Sequence, residues 1–200
     1  MNKIDYNKIF EREAEENDGK KLLLHCCCAP CTLGVIERVV EHFSVTLYWY
    51  NPNIMPLGEY EKRLSELEKV AGIFSVPLIV GENEHDRYLA AIIGRERDLE
   101  GGERCAVCQD LRIRKTSEYA SAHGFDFYTT TLSVSPHKNA QLINLLGEKY
   151  QKDGDARWLH SDFKKKEGFK RSGVLCEKYG IYRQNYCGCR LNFGEEEHDA

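Results

Sequence analysis

Nine cysteines are spread along this chain of 200 residues, and four of them fall within the six positions from Cys26 to Cys31. Thiolates bind soft metals and attack electrophiles, whereas the packing of a core needs no such density of sulfur. The run His25-Cys26-Cys27-Cys28-Ala29-Pro30-Cys31 therefore indicates a chemical site. Pro30 suits the first turn of a following helix, whose positive end would favour an ionised thiol.

Two further cysteine pairs lie far away in sequence. Cys105-Ala106-Val107-Cys108 follows two glycines and has a spacing common among metal ligands. Cys187-Gly188-Cys189 places two sulfurs one residue apart, which suits either metal ligands or a strained disulfide that cycles. Cys176 follows Val174 and Leu175 on a helical pattern, so we expect it to pack in the core.

The thiol pattern alone leaves three kinds of site open. Four or more thiolates fit structural zinc or an iron–sulfur cluster equally well by count. Cys28-Ala29-Pro30-Cys31 between a strand and a helix also resembles a thioredoxin-like dithiol. That last interpretation leaves the pairs at 105/108 and 187/189 without a purpose.

Apolar periodicity divides the chain into alternating strands and helices. The predicted strands are residues 22–25, 45–50, 77–80, 125–131 and 157–159. The predicted helices are residues 5–17, 32–43, 58–71, 86–93, 108–122, 139–149 and 167–179. This alternation predicts a single α/β domain with a mostly parallel open sheet and helices on both faces, as in Rossmann-like, nucleotide-hydrolase-like domains. The cysteine-rich site then lies at the carboxyl edge of the strands, where ligands bind in such sheets.

Charge is unevenly distributed along the chain. The formal net charge is −4, yet residues 161–190 carry eight basic and three acidic side chains, a net of +5. A local basic face is compatible with a polyanionic partner. We predict a peripheral acidic helix or extension over residues 1–20, a catalytic domain over residues 21–190 and an acidic tail over residues 191–200.

The cellular location is predicted from what the sequence lacks. No apolar run approaches the ~20 residues that a membrane helix needs, and the acidic start of the chain is unlike a signal peptide. Clustered cysteines in the absence of a secretory signal indicate a reducing compartment. We therefore expect a cytoplasmic enzyme with no membrane partner.

Six motifs, taken in order, resemble the cobalamin-independent epoxyqueuosine reductase family of the QueH type. They run from about Leu22 to Cys189 and so cover nearly the whole chain. The motifs are Leu23-Leu24-His25 with Cys27-Cys28-Ala29-Pro30-Cys31, Asn51-Pro52-Asn53-Ile54-x-Pro56-x-x-Glu59-Tyr60-x-x-Arg63, Gly102-x-Arg104-Cys105-x-x-Cys108, Thr129-Thr130-Thr131-Leu132-x-x-Ser135-Pro136-x-Lys138, Asp162-Phe163-Lys164-Lys165, and Tyr182-Arg183-Gln184-x-Tyr186-Cys187-Gly188-Cys189. Two positions depart from the pattern: Met55 stands where a histidine is expected, and some members carry an acid at the position of Cys31.

The resemblance implies a reductase that acts on tRNA carrying epoxyqueuosine at the wobble position and forms queuosine. It also implies a 4Fe–4S cluster, an additional mononuclear iron, and an electron donor that the sequence does not identify. Carried over residue by residue, the cluster ligands are Cys27, Cys28, Cys105 and Cys108. Cys31 is a candidate ligand of the second iron, and Cys187 with Cys189 is the redox-active pair, which forms a disulfide when oxidised.

The chemistry of epoxide reduction agrees with that set. No ordinary side chain supplies two electrons to a carbon–oxygen bond, so a cofactor must do so. An iron with an open position would act as a Lewis acid on the epoxide oxygen. The proton donor is expected among residues chosen by motif position: His25, Tyr50, His137 and Asp162.

Substrate binding is predicted from basic and aromatic side chains in the motifs. Arg104, Lys138, Lys164 and Lys165 are candidates for contacts with phosphates. The run Tyr48-Trp49-Tyr50 offers a stacking surface for an extruded base, although strand alternation buries at least one of the three rings. The alternatives to the reductase are a thioredoxin-like thiol–disulfide oxidoreductase and a zinc-stabilised RNA-binding module without catalysis.

Overall fold

The computed structural model describes residues 4–189, so the predicted acidic tail, residues 191–200, lies outside the described residues. Its strands are β1 (Lys21–His25), β2 (Ser44–Trp49), β3 (Leu78–Val80), β4 (Phe127–Thr130) and β5 (Arg157–Trp158). Its α-helices are α1 (Tyr6–Glu16), α2 (Ala29–Val40), α3 (Leu57–Phe74), α4 (His85–Ala91), α5 (Glu103–Ala122), α6 (Ala140–Tyr150) and α7 (Gly168–Tyr179). Within residues 4–189, no helix has both the length and the apolar character needed to span a bilayer.

The five strands form one parallel sheet in the order β3-β2-β1-β4-β5. The chain moves outward from β1 through β2 to β3, and then returns to place β4 on the other side of β1. The strand order therefore reverses between β1 and β4, and ligands bind beyond the carboxyl ends of the strands at such a point. The predicted α/β fold is confirmed, and its reversal point lies where the run of cysteines begins.

Both faces of the sheet are buried. Leu22 and Leu24 point into a core formed with α1, α2, α3 and α7, while Leu23 points into a second core formed with α5 and α6. Parallel strands that are covered on both faces carry apolar side chains at every position. This double cover explains why Tyr48, Trp49 and Tyr50 are each no more than 1% exposed. The predicted stacking surface on β2 is therefore wrong.

Two helices begin earlier than predicted, at positions that bear on the cysteines. α2 starts at Ala29 rather than at residue 32, because Cys28 serves as its N-cap and accepts a hydrogen bond from the backbone N–H of Cys31 at 3.4 Å. α5 starts at Glu103 rather than at residue 108, so Cys105 and Cys108 both lie in its first two turns. A short 3₁₀ helix, Thr131–Val134, follows β4 and was not predicted.

Two glycines allow α2 and α7 to pack closely. A Cβ at Gly34 would lie 2.8 Å from the backbone oxygen of Gly168 at the start of α7. A Cβ at Gly168 would lie 3.4 Å from the backbone oxygen of Gly34 and 1.9 Å from that of Phe163, in the loop that leads into α7. Ser172 also donates to the backbone oxygen of Pro30 at 2.6 Å. This crossing fixes the start of α2, and with it the position of Cys31.

Helix α1 packs against the sheet through Phe10 and Ala14, which belong to the first core. His160, just after β5, holds α1 by a second contact. One of its ring nitrogens lies 2.9 Å from a carboxylate oxygen of Glu13 in α1, and the other lies 2.8 Å from one of Glu148 in α6. These hydrogen bonds raise the pKa of His160 above its ordinary value, against the opposing effect of burial. A protonated His160 therefore joins α1 to α6.

We expect Gly168→Ala to lower the free energy of unfolding by about 3 kcal/mol, because the added methyl group overlaps a backbone oxygen that cannot move freely. The matched control is Gly72→Ala in α3, where an added Cβ meets nothing within 4 Å. That change should stabilise the protein by about 0.5–1 kcal/mol. Urea unfolding of the two variants measures both values, and equal effects would contradict the close approach of the Phe163 backbone oxygen to Gly168.

The His160 attachment predicts a pH-dependent contribution to stability. Because its pKa is raised in the folded state, the stabilisation is complete below the unfolded pKa of about 6.5 and is lost as the pH rises through the folded pKa. The difference in free energy of unfolding between the wild type and His160→Gln should therefore shrink between about pH 6 and pH 9. A difference that grows with pH would show that His160 is neutral in the folded protein.

Candidate functional site

A cavity of about 610 Å³ opens at the carboxyl edge of the sheet, beyond the reversal of strand order. A much smaller cavity of about 30 Å³ adjoins it. The two share four wall residues, which are Arg112, Leu132, Lys138 and Cys187. Between them they are lined by seven of the nine cysteines, at positions 27, 28, 31, 105, 108, 187 and 189. The other two cysteines, Cys26 and Cys176, pack in the first core, as expected for Cys176.

The sulfurs of Cys27, Cys28 and Cys31 lie within 4.8 Å of one another, and those of Cys27 and Cys28 are 3.9 Å apart. β1 ends two residues before Cys27, and the first turn of α2 carries Cys31. Thr131, at the end of β4, receives a hydrogen bond from the backbone N–H of Cys27 at 3.0 Å and donates to its sulfur at 3.3 Å. Adjacent parallel strands therefore set the geometry of the group.

Negative charge in this group concentrates on Cys27. Hydrogen bonds from Cys28 and then Cys31, together with the charge of Arg112, hold the pKa of Cys27 well below its usual range. The pKa values of Cys28 and Cys31 are raised, chiefly because each thiol donates to Cys27 and both are buried. The site thus supplies one ready thiolate and two thiols beside it.

Cys105 and Cys108 line the smaller cavity together with Cys187 and Cys189. The first turns of α5 present the 105/108 pair, and the backbone N–H of Gly101 donates to the sulfur of Cys105 at 3.2 Å. The pair does not join the compact group formed by the cysteines at 27, 28 and 31. Instead, the 105/108 pair lines the smaller cavity and the group at 27, 28 and 31 lines the larger one, and the two cavities share four wall residues.

Arg112 is the most important residue of the site that was not predicted. Its buried guanidinium donates to the Nε2 of His25 at 3.4 Å and to the side-chain oxygen of Asn51 at 2.5 Å, and its Nη1 lies 4.0 Å from the sulfur of Cys108. The available signal was its position four residues after Cys108, which places both side chains on one face of α5.

His25 is fully buried and lines neither of the two cavities described for residues 4–189. Burial, followed by the charge of Arg112, lowers the pKa of His25 to about 3, so its ring is neutral. Its Nδ1 lies 2.7 Å from the hydroxyl of Thr130. Its Nε2 lies 3.2 Å from the backbone oxygen of Tyr50, which can only accept, and 3.4 Å from Arg112, which can only donate. In the tautomer in which Nε2 accepts from Arg112, Nδ1 carries the proton and donates to Thr130. This arrangement orients Arg112 and leaves no exposed proton on the imidazole.

The C-terminal segment, residues 182–189, forms one wall of the larger cavity, and α3 with the loop before it holds the segment in place. The backbone N–H of Met55 donates to the oxygen of Gly188 at 2.8 Å, and that of Tyr182 donates to Glu66 at 2.9 Å. Buried Arg63 donates to Glu59 at 2.6 Å and to the backbone oxygen of Tyr186 at 3.4 Å. These bonds position Cys187 at the junction of the two cavities.

Lys138 is the one predicted phosphate-binding residue that lines the larger cavity among those described. Its ammonium lies 3.0 Å from Glu100, and its side chain is only 13% exposed. The pKa of Lys138 is raised, although burial opposes the effect, because Cys187 and Glu100 stabilise the charge. Exposed His137 lines the same cavity. Tyr50 does not, since its hydroxyl is turned to Glu84 at 2.7 Å.

The remaining predicted site residues lie outside the larger cavity. Arg104 is 1% exposed, lines the smaller cavity and donates to the backbone oxygen of Glu96 at 2.6 Å. Lys164 and Asp162 form an ion pair at 2.9 Å on the loop between β5 and α7, and neighbouring Lys165 is exposed. Arg104 thus lies beside the cysteines of the smaller cavity, whereas Asp162, Lys164 and Lys165 line neither of the two cavities described.

The donor set of the two cavities fits a thiolate-bound iron–sulfur cluster. Cysteine sulfur is the ligand that such clusters use, and soft donors of this kind disfavour magnesium or calcium. The seven cysteines come from the start of α2, the start of α5 and the C-terminal segment, so ligands from distant parts of the sequence meet at one edge. Buried cationic groups, Arg112 and Lys138, complement the negative charge of several thiolates.

Comparison with known proteins gives a consistent result. The profile of the family described as "Epoxyqueuosine reductase QueH" matches residues 22–197. The chain is 38% identical over 197 residues to the epoxyqueuosine reductase QueH of Streptococcus pyogenes serotype M1, covering 94% of this chain and 77% of that protein. It is 36% identical over 171 residues to the protein of the same name from Thermotoga maritima, covering 84% of this chain and 88% of that protein.

A solved structure with a similar fold is the U34-tRNA thiolase NcsA from Methanococcus maripaludis, described with its 4Fe-4S cluster. The TM-score is 0.57, and the superposition covers 91% of this chain and 67% of that one. The sequence identity is 10%, so this likeness concerns the fold alone.

Removal of the Arg63 side chain should release the C-terminal segment. Arg63→Met removes the buried guanidinium that is paired with the Glu59 carboxylate, so we expect a loss of about 3–5 kcal/mol in the free energy of unfolding. Amide hydrogen exchange should also accelerate in residues 182–189 more than in the sheet. The control is Glu68→Gln, an exposed position on the same helix, where the change should stay within about 0.5 kcal/mol. Unchanged exchange in the segment would contradict its attachment through Arg63.

Proposed function

The chain belongs to the epoxyqueuosine reductase QueH family, and on that premise we propose that it reduces epoxyqueuosine in tRNA to queuosine. The observation that supports the proposal most strongly is the meeting of seven cysteines at the reversal point of a parallel sheet, around two adjoining cavities of about 610 Å³ and about 30 Å³. The family match supports this hypothesis and neither the thioredoxin-like oxidoreductase nor the zinc-stabilised RNA-binding module.

We propose that Cys27, Cys28, Cys105 and Cys108 hold a 4Fe–4S cluster, which supplies the electrons for the reaction when it is bound. Burial of the ligands supports this assignment, because a thiolate-bound cluster is tuned by its exposure and by hydrogen bonds to its sulfurs. Arg112 lines both cavities, and its Nη1 lies 4.0 Å from the sulfur of Cys108.

Cys31 is our proposed ligand for an additional mononuclear iron. Its sulfur lies within 4.8 Å of those of Cys27 and Cys28. An iron bound by Cys31 would therefore lie beside a cluster that these two cysteines hold. The position at which some relatives are expected to carry an acid therefore faces the cavity here as a third sulfur.

The overall reaction removes the epoxide oxygen as water and leaves an alkene, with two electrons and two protons consumed. A proton must reach that oxygen as it gains negative charge. Among the predicted donors, His137 lines the cavity, and the ammonium of Lys138 lies beside it. We propose that these two side chains face the substrate. Asp162 is paired with Lys164, and His25 acts by orienting Arg112.

Cys187 and Cys189 are our proposed redox-active pair, which passes electrons from an external donor and forms a disulfide when oxidised. Cys187 lines both cavities, whereas Cys189 lines only the smaller one among the described parts of the chain. A hydrogen bond from Cys189, with the charge of Lys138, lowers the pKa of Cys187 although burial opposes the effect. A thiolate is the form of cysteine that takes part in disulfide exchange.

The opening of the larger cavity suits the anticodon loop of a tRNA. Phe169, 44% exposed, lies under the guanidinium of Arg183 at 5.1 Å, and both line the cavity. An aromatic ring beside an arginine is a surface on which unpaired bases stack. We propose that Lys164 and Lys165, on the loop before α7, contact phosphates near this opening. Buried Arg104 instead positions the segment that carries Cys105.

The wider organisation follows from these assignments. We propose that residues 21–190 form the catalytic region and that α1, within residues 1–20, is an accessory helix packed on it. A tRNA substrate and the need for reduced thiols favour a cytoplasmic location. The electron donor would approach the C-terminal pair from the solvent side of the segment that carries it.

The function is tested with protein purified and loaded with iron and sulfide under anaerobic conditions. Incubation with tRNA that contains epoxyqueuosine and a chemical reductant should yield nucleosides that have lost one oxygen atom, as measured by mass spectrometry. Loaded protein that leaves epoxyqueuosine unchanged would refute the proposal. A colourless protein that contains zinc and no labile sulfide would favour the RNA-binding alternative instead.

Loss of one proposed cluster ligand should abolish the cluster without unfolding the protein. We expect Cys105→Ala to lose labile sulfide and the electron-paramagnetic-resonance signal of the reduced cluster, because a thiolate ligand is missing. Its control is Cys176→Ala, which removes a buried sulfur from the core. That variant should keep both signals. A full complement of sulfide in Cys105→Ala would show that the ligand assignment is wrong.

A further inference from the structure

Arg112 is a buried cation whose hydrogen-bond partners carry no carboxylate. It is 5% exposed, and within residues 4–189 its side chain contacts a neutral imidazole, an amide and a cysteine sulfur. The cost of burying a charge without an opposite charge beside it amounts to several kcal/mol. Something at this site must therefore supply the missing negative charge.

Two other cations of the site are paired differently. Arg63 lies 2.6 Å from Glu59, and Lys138 lies 3.0 Å from Glu100. Arg112 instead has the sulfur of Cys108 at 4.0 Å from its Nη1, and it lines both cavities, whose walls also include Cys27 and Cys187. Sulfur thus takes the place that a carboxylate has beside the other two cations.

The guanidinium is held rigidly in this position. His25 is fixed by Thr130 at 2.7 Å, and Asn51 is fixed because its amide nitrogen donates to the backbone oxygen of Cys26 at 2.9 Å. Each of these two residues then binds a different nitrogen of Arg112, which leaves Nη1 directed at Cys108. The forked geometry of a guanidinium makes such a three-way attachment possible, and a lysine could not reproduce it.

We propose that Arg112 is a positioning residue that sets the reduction potential of the iron–sulfur cluster whose proposed ligands include Cys108, the sulfur that its Nη1 approaches. This inference rests on the proposed cluster and deepens that assignment. Each electron that enters a cluster adds negative charge, so a fixed cation and an N–H···S contact stabilise the reduced state more than the oxidised state. Arg112 accordingly makes the reduction potential less negative.

The test compares reduction potentials, measured by anaerobic redox titration with paramagnetic-resonance detection, of wild type, Arg112→Gln, Arg112→Lys and Arg114→Gln. Arg114→Gln is the matched control, because Arg114 lies on the same helix, is 37% exposed and faces Glu118. Iron and sulfide content and a thermal unfolding curve accompany each protein, so that cluster loading and folding are known separately from the potential.

We expect a shift to more negative potential in Arg112→Gln, a smaller shift in the same direction in Arg112→Lys, and none in Arg114→Gln. A loaded Arg112→Gln protein with the wild-type potential overturns the inference and leaves the proposed function intact. If the Gln variant does not fold or load, the Lys variant decides, and an unshifted potential there overturns the inference. Wild-type protein that holds no cluster would overturn the cofactor assignment and this inference together.

Discussion

The pairing of β1 with β4 is the constraint on which the site depends. In the parallel register His25 pairs with Thr130, so Cys27 and Thr131, which follow the ends of the two strands, lie at the same edge of the sheet and are joined by a hydrogen bond. A slip of one residue would turn every side chain of β1 to the opposite face. The leucines of β1, which are buried in two different cores, prevent that slip. Packing inside the sheet therefore fixes the relation between sulfur and hydroxyl at its edge.

Much of the fold could be predicted because its two determinants, the apolar periodicity and the order of strands and helices, can be read from local sequence. Alternating apolar runs give strands and helices, and strand–helix alternation permits few arrangements other than a parallel sheet. The edge at which the cysteines gather follows from the order of elements alone. The exact start of α2 could not be predicted from that order, because a cysteine acts as its N-cap and that role is uncommon.

The electrostatics of the site could not be predicted in the same way. Arg112 lies in a segment with other basic residues, and such side chains are usually exposed; only the tertiary structure shows that this one is buried beside Cys108. Arg104 illustrates the same point, since it belongs to a motif and yet lies inside the protein. The aromatic run on β2 was misread because the second face of the sheet is covered by α5, a contact distant in sequence.

The wall formed by residues 182–189 has a kinetic consequence. The same segment carries the thiol pair and borders the space that the substrate must enter. If Cys187 and Cys189 relay electrons, then an external reductant and a bulky nucleic acid need access to the same entrance of the cavity. Neither can bind there while the other is bound. The two partners would then take turns, which is the signature of a ping-pong scheme rather than of a ternary complex.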